Sequence, residues 1–248
     1  MNKLIAVTGK GGVGKTTVCA LLVKNLLAAG RSPVLAIDAD PNSCLDAALG
    51  VRATGTVGRA REEARGATAS GAAASISKRE LLRLKIEQNL VEAKGFDLIA
   101  MGRPEGAGCY CYANNVLKEV IAEISAQYPY VVLDNEAGLE NLSRRIVRKV
   151  DMMVLVSDAS NAGLQTLLRL HELAGEMEMA YGRLALVINR VRSGKLPDRM
   201  AEIERITKAD IVVGLPNDEE IAIFSEESRN FLEISDSNPA YQRIRTLI

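Results

Sequence analysis

The chain has 248 residues with 31 basic and 31 acidic side chains, so it carries no net charge. That balance removes the long-range pull of a dedicated nucleic-acid binder, and 48% hydrophobic content argues for a folded domain rather than a disordered chain. Lys10 and Lys15 interrupt the N-terminus too early for a secretory signal, and no uncharged stretch approaches the roughly 20 residues that a membrane span needs. A single cytoplasmic domain over residues 1–248 is expected, with neither nucleic acid nor membrane as partner.

In chain order, the apolar run 3–7 reads as a buried strand and 18–27 as the helix after it. Between them stands Thr8-Gly9-Lys10-Gly11-Gly12-Val13-Gly14-Lys15-Thr16-Thr17. Strand, glycine loop, Lys-Thr and helix make Gly9-x4-Gly14-Lys15-Thr16 a phosphate loop for ATP. Its backbone N–H groups and the helix N-terminus favour anionic oxygens. Lys15 reaches the β- and γ-phosphates, and the Thr16 hydroxyl is a candidate Mg²⁺ ligand.

A second strand, 33–37, runs into Asp38-Ala39-Asp40-Pro41-Asn42-Ser43. A carboxylate at the C-terminal end of a parallel core strand faces the ligand crevice. If the strand extends that far, Asp38 and Asp40 point to one side. Helix capping is the plainer role for this segment, and Asn42 or Ser43 suits it. Residues 51–77 are rich in Ala, Gly, Arg and Thr and read as an excursion rather than a packed element, either a surface loop or a lid. Helical spacing follows over 79–91.

Strands are read at 96–101, 130–134, 152–156, 184–189 and 211–213, with helices at 116–125 and 161–179. The alternation predicts an α/β fold, a doubly wound and mainly parallel sheet flanked by helices. Asp134 ends the fourth strand at the crevice and joins Thr16 as a candidate Mg²⁺ residue. Asn135-Glu136-Ala137-Gly138-Leu139 is the place for a second switch. Asn189 either reads an adenine edge, since an amide both donates and accepts, or caps its strand. Pro216 is placed beside the base.

Four cysteines are few for a disulfide framework. Cys19 and Cys44 read as small buried residues. Cys109 and Cys111 flank Tyr110 on a glycine-rich loop and supply two thiolates, where structural thiolate sites take four. Two copies about a two-fold axis would complete an S₄ site; incidental or redox-active thiols are the other reading.

The second lysine, Lys10, resembles the deviant phosphate loop of the family that holds the nitrogenase iron protein, septum-placing and plasmid-partitioning ATPases and several metal-insertion ATPases. The resemblance implies a nucleotide-dependent ATPase homodimer in which Lys10 crosses to the partner's nucleotide, so that Lys10, Lys15 and Asp40 are the catalytic residues. It also implies Asp38 near the Mg²⁺ shell, Asp40 orienting the attacking water, and Asn189 at the adenine. The run Gly102 to Tyr112 resembles the loop of CooC-type nickel-insertion ATPases, which implies Ni²⁺ at Cys109 and Cys111, with Zn²⁺ able to take its place, and a carbon monoxide dehydrogenase as client. His171, the sole histidine, lies in a helical stretch and is not read as a ligand. Two alternatives stand beside this. One is a positioning ATPase of the MinD/ParA kind, for which 240–248 offers a faintly basic final helix; a helix packed on the domain is the better account of it. The other is an iron–sulfur-dependent reductase component, disfavoured because both cysteines sit in one loop.

Overall fold

The computed structural model describes residues 3–40, 44–69, 76–102, 111–139, 149–192 and 194–248, with backbone alone for 68, 69 and 111–117. Eight strands form one sheet in the order β3-β4-β2-β5-β1-β6-β7-β8. They are β1 (Lys3–Gly9), β2 (Val34–Asp38), β3 (Val91–Ala93), β4 (Phe96–Ala100), β5 (Tyr130–Asp134), β6 (Lys149–Asp158), β7 (Ala180–Val191) and β8 (Ile211–Pro216). Every pairing is parallel except β3 with β4.

Parallel strands need helical crossovers, which cover both faces of the sheet and demand apolar residues at successive positions. The central strands meet that demand; β2 is buried at all five residues, Val34 to Asp38. Alternate residues face opposite sides. Ile5 and Val7 of β1 pack into one apolar core, with α1 (Lys15–Ala28), α2 (Leu45–Ala48), α8 (Glu219–Glu226) and α9 (Pro239–Ile244). Ala6 faces the other core, with α3 (Val57–Ala69), α4 (Lys78–Gln88), α5 (Cys111–Ser125), α6 (Asn161–Glu176) and α7 (Met200–Thr207).

Helix α1 is apolar around most of its circumference, and Val18 to Val23 are all buried. It lies under α9, where Lys24 pairs with Asp236 at 2.9 Å and sits 4.9 Å over the Tyr241 ring. Ala240, Tyr241, Ile244 and Leu247 are buried there. The final helix is thus a core element, and its apolar face is already spent. Among the described residues, no helix is long and apolar enough to cross a membrane.

The structure departs from the sequence reading at four places. The excursion 51–77 contains α3, whose Val57, Ala60 and Ala64 are buried and which packs on α4; alanines at helical spacing bury a face without large side chains. The helix read over 79–91 ends at Gln88, with Asn89 as its C-cap, and Val91 starts the short antiparallel edge strand β3, an eighth strand. Helix α5 begins at Cys111, five residues before the expected 116. Cys44 is exposed at the start of α2, while Cys19 is buried as expected. The candidate caps Asn42 and Ser43 lie outside the described residues.

Candidate functional site

Strand β1 is central, with β5 on one side and β6 on the other, and the chain changes winding direction there. Such a reversal opens a crevice beyond the C-terminal strand ends. Gly9 ends β1, and the loop from Lys10 to Gly14 turns directly into α1 at Lys15. Gly14 is the N-cap with φ 97°, a left-handed conformation that costs an ordinary residue about 1–2 kcal/mol. A cleft of about 430 Å³ opens here, lined by Gly11, Gly12, Gly14, Lys15, Thr16, Asp40, Glu136, Ala137 and Arg190.

Lys15 is buried, and its ammonium donates to the Lys10 carbonyl at 3.3 Å, which holds the side chain over the loop. Thr16, one residue on, donates its hydroxyl to Asp134 Oδ2 at 2.7 Å. Asp134 Oδ1 is buried with no hydrogen-bond partner. Burial pushes the Asp134 carboxyl up to about 6, against the lowering pull of the Thr16 hydroxyl and the Lys15 charge. Burial, with the neighbouring Asp134 charge, pushes the Cys19 thiol well up, so it stays protonated.

Asp38 ends β2 exactly where Asp134 ends β5, and the two are register partners. The Asp38 carboxylate accepts backbone N–H groups from Asp40 at 3.0 Å and Leu45 at 2.9 Å. Burial and the neighbouring Asp134 charge nonetheless push it up to about 7. Asp40 lies past the end of the strand, so the two aspartates do not share one strand face; Asp40 instead turns onto the cleft wall. The second-switch segment closes over the loop: Thr8 Oγ1 donates to the Gly138 carbonyl at 2.8 Å, and Gly138 N–H to Gly9 O at 3.3 Å. Asn135 donates its amide to Val7 O at 3.2 Å, leaving its own buried Oδ1 unpartnered.

On the far side, Asn189 is register partner to Asp158 and donates its amide to the Val13 carbonyl at 2.8 Å, bracing the phosphate loop. Pro216 ends β8 opposite Val191. Neither Asn189 nor Pro216 is among the residues lining the cleft. Lys10 is exposed, and Thr17 is half-buried in the first turn of α1. Cys109 lies outside the described residues. Cys111 opens α5. His171 lies half-buried on α6. Among the described residues, no group of three or more His, Cys, Asp or Glu side chains is arranged to hold a metal ion.

Sequence reasoning missed Arg190, which lines the cleft from a left-handed backbone with φ 57°. Its one signal is a cation directly after a strand-ending asparagine.

The family model for the CobQ/CobB/MinD/ParA nucleotide-binding domain matches residues 4–231. The chain belongs to the CobQ/CobB/MinD/ParA family. It is an ATPase of that family. An uncharacterized ATP-binding protein of Methanocaldococcus jannaschii is 40% identical over 248 residues, covering 98% of this chain and 96% of its own. The carbon monoxide dehydrogenase accessory protein CooC of Rhodospirillum rubrum is 33% identical over 189 residues, covering 70% of this chain and 69% of its own. Among solved structures, a ParA family ATPase from Chlorobium tepidum aligns with a TM-score of 0.73 at 18% identity, over 99% of this chain and 96% of that one. At that identity the likeness speaks for the fold.

Proposed function

We propose that the chain is an ATP-hydrolysing, dimeric metallochaperone that binds nickel at Cys109 and Cys111 and delivers it to a carbon monoxide dehydrogenase. The nucleotide half rests on one observation: Thr16 and Asp134 are joined at 2.7 Å beside Lys15, and the second Asp134 oxygen is buried without a partner. A buried acceptor left unpaired is costly, and a hard cation with oxygen ligands satisfies it. The donor set therefore fits Mg²⁺, held by Thr16 and Asp134, with Asp38 in the surrounding shell. Bound there, Mg²⁺ would neutralise charge on the β- and γ-phosphate oxygens.

The chain's own groups account for the rest. Backbone N–H groups from Gly9 to Thr17 cradle the phosphates, and Lys15 neutralises the γ-phosphoryl charge. Asp40, on the cleft wall, orients the water that attacks the γ-phosphorus as the bond to the β–γ bridging oxygen breaks. Lys10 is exposed, as a residue serving the partner's nucleotide must be. Asn189 and Pro216 border the base.

The metal half is supported by the Cys109-Tyr110-Cys111 loop and by the likeness to CooC. Nickel is the cargo. Closure of the dimer on ATP brings four thiolates together, and hydrolysis relaxes the switches and favours release. The test is equilibrium dialysis against Ni²⁺ and Zn²⁺, with an ATP analogue and with ADP, comparing wild type with Cys109→Ser/Cys111→Ser. Wild type should hold one ion per dimer, and the double variant none while it still binds nucleotide. A variant that retains the ion removes the metal half.

A further inference from the structure

Strand β7 carries Leu184, Leu186 and Ile188 into the apolar core shared with α6, and strict alternation would send residue 190 after them. Val191 takes that place instead, buried in the same core. The pairing with β8 shows why. Ile188 stands opposite Gly214 and Val191 opposite Pro216, so β7 holds one extra residue there, a bulge. Arg190 lies in it with a left-handed backbone, φ 57°. Among the described residues, the other non-glycines with positive φ are Glu178, Lys208 and Ser228, each just past a helix C-terminus, where that conformation is common. Of the four, Arg190 alone sits inside a strand.

A bulge re-aims a side chain, and this one brings an arginine to the cleft. Arg190 is exposed and lines the cleft with Gly11, Gly14 and Lys15. Asn189 fixes the turn: its Oδ1 accepts the Arg190 N–H at 2.8 Å, while its amide donates to Val13 O at 2.8 Å. One side chain thus ties the bulge to the phosphate loop. Without Arg190, the charged side chains lining the cleft would be Lys15 against Asp40 and Glu136, a poor setting for a polyphosphate. We infer that Arg190 is a phosphate-binding residue whose guanidinium pairs with the nucleotide's phosphate chain on the β7 side of the loop. A planar guanidinium offers phosphate oxygens two parallel hydrogen bonds. Strand β5, with Asp134, flanks β1 on one side, and β6 then β7 flank it on the other, so Arg190 and Asp134 bracket the loop. The terminal phosphate belongs at the Thr16, Asp134 and Asp40 end, so Arg190 meets phosphates that ATP and ADP share.

This inference rests on the reading of the cleft as the ATP site, and the experiment separates the two. Mant-ADP and a non-hydrolysable mant-ATP analogue are titrated, with Mg²⁺, into wild type, Arg190→Lys, Arg190→Gln, Arg190→Gly and Lys15→Ala. Arg190→Gln and Arg190→Gly should raise both dissociation constants by about tenfold or more, the scale of a charge-assisted hydrogen bond. Arg190→Lys, which keeps the charge, should stay much closer to wild type. Glycine suits a left-handed bulge, so Arg190→Gly should unfold without nucleotide near the wild-type temperature, and its lost affinity is then not a lost fold. If Arg190→Gln and Arg190→Gly bind as wild type while Lys15→Ala does not, the bulge serves only to seat Val191 and the inference is wrong. If Arg190→Gln alone keeps its affinity, charge is not what Arg190 contributes and the phosphate assignment is wrong. If Lys15→Ala also binds normally, the nucleotide lies elsewhere and the reading of the cleft fails first.

Discussion

Asp38 and Asp134 are register partners on neighbouring strands, each the last residue of its strand and each buried. Two carboxylates enclosed together cannot both ionise cheaply. Their folded-state values, about 7 and about 6, lie well above the ordinary 3.8.

The sign of the pH effect follows. Between pH 4 and 7 the folded protein holds protons that the unfolded chain releases, so this contribution to stability is full below pH 3.8 and lost as pH rises through 6 and 7. At about 1.4 kcal/mol per pKa unit, the loss for the two groups together is on the order of 7 kcal/mol across the whole range, and only part of it falls between pH 5.5 and 8. Nucleotide-free protein in EDTA should unfold at a lower temperature at pH 8 than at pH 5.5, and Asp38→Asn should flatten the difference. Differential scanning calorimetry checks this; a stability that climbs over the same interval, or an unaltered slope in the variant, counts against it.

Lys15 and Lys10 should separate in their effects. Lys15 is buried over its own loop, so Lys15→Ala should abolish binding of an ATP analogue. Lys10 is exposed; if it serves the partner subunit's nucleotide as proposed, Lys10→Ala should bind nucleotide normally yet hydrolyse it about 10³-fold more slowly, the scale of a charge supplied in trans. Mixing the variant with Lys15→Ala should restore part of the rate if one subunit serves the other. Hydrolysis by Lys10→Ala at the wild-type rate would refute the assignment.

Gly14 is the point where the loop admits no side chain. Its φ of 97° is left-handed, and a Cβ there would collide with the Asn189 amide that braces Val13. Gly14→Ala should cost at least about 1–2 kcal/mol, a few degrees in Tm for a chain of this size. It should also weaken nucleotide binding sharply by displacing the loop. Isothermal titration with MgADP gives the reading, and normal affinity in the variant would show that the loop has more room than its geometry allows.

Much of the site was legible because it is local in sequence. The loop from Gly9 to Thr17 carries its own turn chemistry, and Asp38 and Asp134 announce themselves as carboxylates ending apolar strands. The misreadings have a common cause. Residues 57–69 lack large apolar side chains, so hydropathy reports a loop, although alanines at helical spacing suffice to bury a helix face against α4. Val91 belongs to a three-residue edge strand, too short to show alternation. Arg190 carries no signature at all, because its place on the cleft wall comes from a backbone turn at the end of β7.

From sequence alone follow the parallel sheet, the phosphate loop and the residue types available to bind ATP and Mg²⁺, since each depends on neighbours within a few positions. The pairing of Asp38 with Asp134, the hydrogen bond from Thr16 to Asp134, and the bracing of Val13 by Asn189 were decided by the tertiary structure. Those contacts join segments up to 176 residues apart. Strand order sets which strand ends meet, and no local pattern encodes that order.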